Sequence, residues 1–167
     1  MRLKKRFLVV PLTTLLLSTF TPSPALADYV YAHSDVYAST AECTEARDEV
    51  SHGSGGGYIK VDTMSVGVFT TVAGGVVYCY SKFYRPAGYI ATYMRFWKWT
   101  GSAWAVCTSM VDWFYNPAND WITTLAWNNG TWPPCGPGYY GTLGDHYVYN
   151  NGWKGGGQWS GYHYLPA

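Results

Sequence analysis

Four histidines, His33, His52, His146 and His163, are the side chains of this chain best suited to moving protons near neutral pH. They are scattered through extended or loop-like segments. None belongs to a His-Glu-x-x-His pair. Asp145-His146 is the one adjacent acid–imidazole pair, and neighbours on a strand point to opposite faces. Ser54 sits among glycines in His52-Gly-Ser-Gly-Gly-Gly57, but without the Gly-x-Ser-x-Gly elbow the stretch reads as a turn. Asn116-Pro-Ala-Asn-Asp120 gathers oxygens that calcium accepts, without the EF-hand spacing, and it too reads as a turn. The expectation is therefore no catalytic set, no metal and no cofactor.

The positive signal is aromatic: 9 Trp and 16 Tyr in 167 residues, beside 19 glycines. Such side chains join a broad apolar face to a polar edge, which suits stacking on sugar rings or anchoring a protein interface. Trp97, Trp99, Trp153 and Trp159 each neighbour a charged, glycine or polar turn residue, so these four are the expected ligand-binding positions. In Asp28–Ala38, Tyr29, Tyr31 and Tyr37 share one face of an alternating segment. An extended segment of this kind forms an edge strand of its own sheet, or an arm that adds as a strand to a partner, and the three tyrosines are its partner-binding candidates.

The elements that must position these rings are mostly strands. Tyr89–Tyr115 contains two period-two runs of aromatic and β-branched residues around Thr100-Gly101-Ser102, the pattern of a central hairpin. A three-residue loop would set Trp97 opposite Ala105 and place Ile90, Met94, Phe96, Val106 and Met110 on one apolar face; this register is preferred. A two-residue loop would instead pair Trp99 with Trp104. Met64–Val72 and Val76–Tyr84 flank Gly74-Gly75 as a second hairpin, and Trp121–Trp127 reads as a further strand. Ser39 with Glu42 three residues on, followed by Cys43, Ala46, Arg47 and Val50, predicts one short helix that ends at Gly53. Eight to ten strands and this N-terminal helix make an all-β fold, an antiparallel β-sandwich or flattened barrel.

Basic Arg2, Lys4, Lys5 and Arg6, the apolar run Phe7–Phe20 and Ala25-Leu26-Ala27 predict that residues 1–27 are a secretory signal peptide. Residues 28–38 then form the arm or edge strand, and residues 39–167 a single β-rich domain. Removing the four basic residues of the signal from the 11 in the chain leaves seven against 10 acidic ones. With no basic run, nucleic acid is not an expected partner, and the interrupted apolar run argues against stable membrane insertion. Cys43, Cys79, Cys107 and Cys135 are an even set in a chain bound for an oxidising compartment, so two disulfides are expected. Cys43–Cys79 with Cys107–Cys135 is the favoured pairing because each closes a loop within its own half. Asn129-Gly130-Thr131 matches a glycosylation acceptor by pattern.

The short basic leader, the Gly/Trp/Tyr-rich remainder and the paired cysteines resemble small secreted proteins of Gram-positive soil bacteria. That resemblance is one of composition and carries no site residues with it. The expected function is a secreted, non-catalytic module that binds an extracellular glycan or protein through exposed aromatics. The alternatives are an adaptor in a secreted assembly, such as an antibacterial toxin particle, joined by strand addition of the arm, and, less favoured, a small secreted hydrolase.

Overall fold

The computed structural model describes residues 28–39, 41–53, 56–70, 77–127 and 133–166, and all the regular elements among them are strands. The leader, Gly74-Gly75 and the Asn129 acceptor lie outside the described residues. Strands β1 (Asp28–Ala38), β2 (Glu42–Gly53), β3 (Gly56–Thr70), β4 (Val77–Lys82) and β8 (Ile122–Trp127) build one antiparallel sheet in the order β1-β2-β3, with β4 and β8 end to end on the far side of β3. Strands β5 (Ile90–Trp99), β6 (Trp104–Ser109), β7 (Phe114–Tyr115), β9 (Gly138–Tyr149), β10 (Trp153–Trp159) and β11 (His163–Leu165) build the other. There β5 and β9 are central, β6 and β7 share the free side of β5, and β10 and β11 share that of β9. The sheets face each other with β2 over β9, β3 over β5 and β1 over β10.

Two kinds of interior result. Val50, Ile59 and Val61 of the first sheet meet Met94, Phe96, Tyr140 and Leu165 of the second in an apolar core, where Phe96 and Tyr140 stack at 4.7 Å. Between β1, β2 and β9, β10 the filling is polar. Gln158 Nε2 donates to the carbonyls of Ala32 (2.8 Å) and Ala46 (3.1 Å), and Thr44 Oγ1 donates to Lys154 O (2.8 Å). Hydrogen-bonded polar groups can fill an interior without the penalty of orphaned ones, and they fix how one sheet sits on the other.

The helix expected from Ser39 is not there: residues 42–53 are strand β2, paired along its length with both β1 and β3. The Ser39 hydroxyl accepts from the N–H groups of Ala41 (3.2 Å) and Glu42 (3.1 Å), so the capping pattern makes the β1–β2 turn instead. Ala46 and Val50 are four residues apart, a spacing that satisfies both periods, and Asp48 between them is buried on the same face as a strand requires. Pairing on both sides outweighs the local propensity.

The β5–β6 register also differs from the preferred one. Trp99 pairs with Trp104 and Trp97 with Val106, across a loop that Thr100 closes by donating its N–H to Ala103 O (2.9 Å) and accepting the Ala103 N–H on its hydroxyl (3.2 Å). Ile90, Met94 and Phe96 do face the core, but Val106 points out and is exposed. A bulge at Phe96/Trp97 takes up the odd residue and returns Thr108 to the inner side opposite Phe96. Both disulfides are present in the favoured pairing: Cys43–Cys79 joins β2 to β4, and Cys107–Cys135 ties β6 to the loop before β9. Two disulfides suit an oxidising environment, and no helix among the described residues is long and apolar enough to cross a membrane.

Candidate functional site

The outer faces of the two sheets are chemically opposite. On the first, β1, β2 and β3 present His33–Glu45 (3.3 Å), Arg47–Glu49 (3.2 Å) and Lys60–Asp62 (2.9 Å), a lattice of paired charges. On the second, alternation along β5 and β9 turns Ala91, Tyr93, Arg95, Trp97 and Trp99, and Tyr139, Gly141, Leu143, Asp145, Tyr147 and Tyr149, away from the core. Six of these eleven residues are aromatic, and the two charged ones, Arg95 and Asp145, pair with each other.

Its first trough has Ala91 as floor. Register places Tyr115 of β7 on one side of Ala91 and Tyr147 of β9 on the other, and Tyr147 in turn faces Gly155 of β10. Small residues at positions 91 and 155 leave the neighbouring ring faces uncovered. Trp113, Tyr115, Tyr147 and Trp153 line an open groove of about 320 Å³ around Ala91, and no charged side chain lines it among the described residues. Trp113 packs on Tyr147 (5.6 Å) and Tyr93 (5.5 Å), while Trp153 packs on Tyr149 (5.4 Å) and Tyr115 (6.0 Å), so each ring is held by another. Trp113, Tyr115 and Trp153 still keep 40%, 44% and 44% of their surface in solvent.

The β7 wall of this trough hangs on Asn116. Its buried amide oxygen accepts the Ile90 N–H (2.8 Å), and its amide nitrogen donates to Pro86 O (2.9 Å) and Ala118 O (2.8 Å). Asp120 Oδ1 likewise accepts a backbone N–H, that of Trp121 at 2.7 Å, as the expected turn requires. Beside it, buried Arg85 pairs with Glu42 and donates from Nε to Ser65 Oγ (3.0 Å), fixing the strand entry.

A second trough lies farther along the same face. Trp99, Trp104, Tyr139 and Tyr162 line a groove of about 370 Å³, again with no charged side chain among the described residues. Trp104 is braced by Trp99 (5.6 Å) and Trp159 (5.1 Å), and the Trp159 ring lies across Gly141, where a Cβ would come within 2.2 Å of it.

Of the four tryptophans singled out in the sequence, Trp153 and Trp99 line the two troughs, one each. Trp97 and Trp159 are half-buried, and Trp159 backs Trp104 rather than facing solvent. Trp113, Tyr115, Tyr147, Trp104, Tyr139 and Tyr162 were not among the candidates. Strict alternation along β9 marks Tyr139 and Tyr147; nothing local marks Trp113, which reaches the trough through a two-residue strand. The three tyrosines of β1 divide. Tyr29 and Tyr31 stack at 5.7 Å on the charged outer face, with the Arg47 guanidinium 5.2 Å from the Tyr31 ring. A bulge between Asp35 and Tyr37 reverses the alternation, so Tyr37 stands opposite Thr44 and turns toward Lys154.

One arrangement inside the sandwich has the form of a nucleophile–base–acid chain. Thr63 Oγ1 is 2.9 Å from His146 Nδ1, and His146 Nε2 is 3.0 Å from Asp48 Oδ1. All three residues have 0% exposure, so no substrate reaches the hydroxyl in this arrangement, and the chain acts as a polar link between the sheets. Asp145, the sequence neighbour of His146, points outward and pairs with Arg95. Asp35, Glu45 and Cys79 bring ligand-type atoms within 4.8 Å of one another, but the Cys79 sulfur is bonded to Cys43 and offers no thiolate.

No family model matches this chain, and no curated protein or solved structure is significantly similar to it.

Proposed function

We propose that this is a secreted, non-catalytic module that binds an extracellular glycan through the aromatic face of its second sheet. The observation that carries the reading is the first trough: four rings, three on paired strands and Trp113 just before β7, open to solvent around a floor of alanine and with no charge in the lining among the described residues. A pyranose ring has an apolar C–H face and a hydroxyl rim. Aromatic faces take the first, and Tyr hydroxyls and indole N–H groups take the second. Rings braced by one another lose little freedom on binding, which keeps the cost of association down.

The test is retention on insoluble neutral polysaccharides and on a glycan array, with Trp153→Ala and Trp113→Ala beside the native protein. Each substitution should weaken binding about tenfold, equal to about 1.4 kcal/mol. Each ring also packs on two others, so a stability loss of about 1–3 kcal/mol is expected, and binding is read on variants shown to be folded. Failure of the native protein to bind any polysaccharide would remove the glycan reading.

A second reading, an adaptor in a secreted assembly, has one observation in its favour: β1 ends its sheet, with β2 as its sole strand partner among the described residues. Co-purification of a partner from culture supernatant, competed by a peptide of residues 28–38, would support it.

A further inference from the structure

We propose, on the basis of the glycan reading, that one linear, uncharged polysaccharide chain occupies both troughs at once, lying along β5 and β9 from Trp153 to Trp99. Both troughs open on one face, because Ala91 and Trp99 are an even number of residues apart on the same strand. The eight residue steps from one to the other span roughly 26 Å at 3.3 Å each, too far for a disaccharide and within reach of a longer oligomer.

Between the troughs Gly157 and Gly141 contribute no side chain, the Trp159 ring reaches over Gly141, and half-buried Tyr93, Trp97 and Leu143 make up the rest of the strip with Arg95 and Asp145. The two charges on the path neutralise each other, since Arg95 pairs with Asp145. An anionic polymer would therefore meet no positive lining in either trough, and a neutral chain would leave no buried charge unpaired. A sheet face with rings at both ends fits a ribbon whose sugar rings expose their C–H faces in succession, as equatorially linked glucans and N-acetylglucosamine polymers do. Once one end is seated, the second trough sees the chain at high effective concentration, so affinity should climb when the oligomer becomes long enough to bridge.

The experiment is calorimetric titration of the native protein with cello-oligosaccharides and chito-oligosaccharides, from disaccharide to octasaccharide. Within the series that binds, the expected result is a plateau for short oligomers, then a gain of tenfold or more once the chain spans both troughs. Stoichiometry should fall from two short chains to one long chain per protein. Trp99→Ala, and Tyr162→Ala at a position 63% exposed, should erase the gain and leave short-chain binding at Trp153 intact. An affinity that stays flat with length, or long-chain binding indifferent to both variants, overturns the spanning chain and leaves a single-trough glycan site. If no oligomer and no parent polymer binds, the glycan reading falls with it.

Discussion

His146 Nε2 of β9 lies 3.0 Å from Asp48 Oδ1 of β2, with both side chains closed to solvent, so one contact between residues 98 positions apart bolts the two sheets together. Asp48 Oδ2 also accepts the Gly144 N–H at 2.9 Å. Burial pushes the Asp48 carboxyl above its ordinary value of 3.8, against the lowering effects of the His146 hydrogen bond and charge and of the Gly144 N–H.

The sign of the resulting pH dependence follows from that direction. A carboxyl held above its unfolded value gives its full contribution to stability below 3.8 and loses it as pH rises through the folded value. Asp48→Asn removes this titration. Urea unfolding across acidic pH should show native minus Asp48→Asn stability declining as pH rises through that window; a difference that increases would contradict the assignment. Asp48→Ala, which leaves His146 Nε2 and the Gly144 N–H without their acceptor, should cost about 1–3 kcal/mol for each, above the asparagine variant.

Asn116→Ala should cost about 1–3 kcal/mol by leaving the Ile90 N–H without its side-chain acceptor and taking a donor from the Pro86 and Ala118 carbonyls. The damage should be local to β7. Hydrogen exchange at Phe114 and Tyr115 should quicken while β9 and β10 stay protected, and binding at the Trp153 trough should weaken more than at the Trp99 trough. Equal loss at both would mean that Asn116 supports the whole sheet.

Gly155→Ala should be far more harmful than an ordinary surface change. A Cβ at this position would stand 1.8 Å from the His146 carbonyl oxygen, so β10 must move off β9. Overpacking of this kind costs about 1–3 kcal/mol. Because Trp153 begins the same strand, its fluorescence should shift to the red; an unchanged spectrum with native stability would show that β10 tolerates the shift.

Removing Cys43–Cys79 by a double alanine substitution should cost about 4 kcal/mol for a sequence separation of 36, and removing Cys107–Cys135, separation 28, slightly less. Denaturant unfolding of the two double mutants measures both. The second deletion should also disturb the Lys98 Nζ contact to the Cys135 carbonyl, which fastens the pre-β9 loop over Tyr140.

By itself the sequence determined what local period and covalent chemistry can determine. The alternation of β5 separates Ile90, Met94 and Phe96 from Tyr93, Arg95 and Trp97 without help from any other strand, because successive side chains must leave a strand on opposite faces. Four cysteines in two halves likewise indicated the two disulfides. What the tertiary structure alone decided are the matters that depend on a partner distant in the chain. Residues 42–53 are a strand because β1 and β3 pair with them on both sides, where local capping chemistry favoured a helix. The hairpin register followed the closure of its loop by Thr100 and a bulge that no periodicity announces. Trp113 and Tyr115 join Tyr147 and Trp153 only because Asn116 holds β7 to β5, and His146 found Asp48 rather than its neighbour Asp145 because the sheets face each other. Period reads the face of a residue; only packing chooses what that face meets.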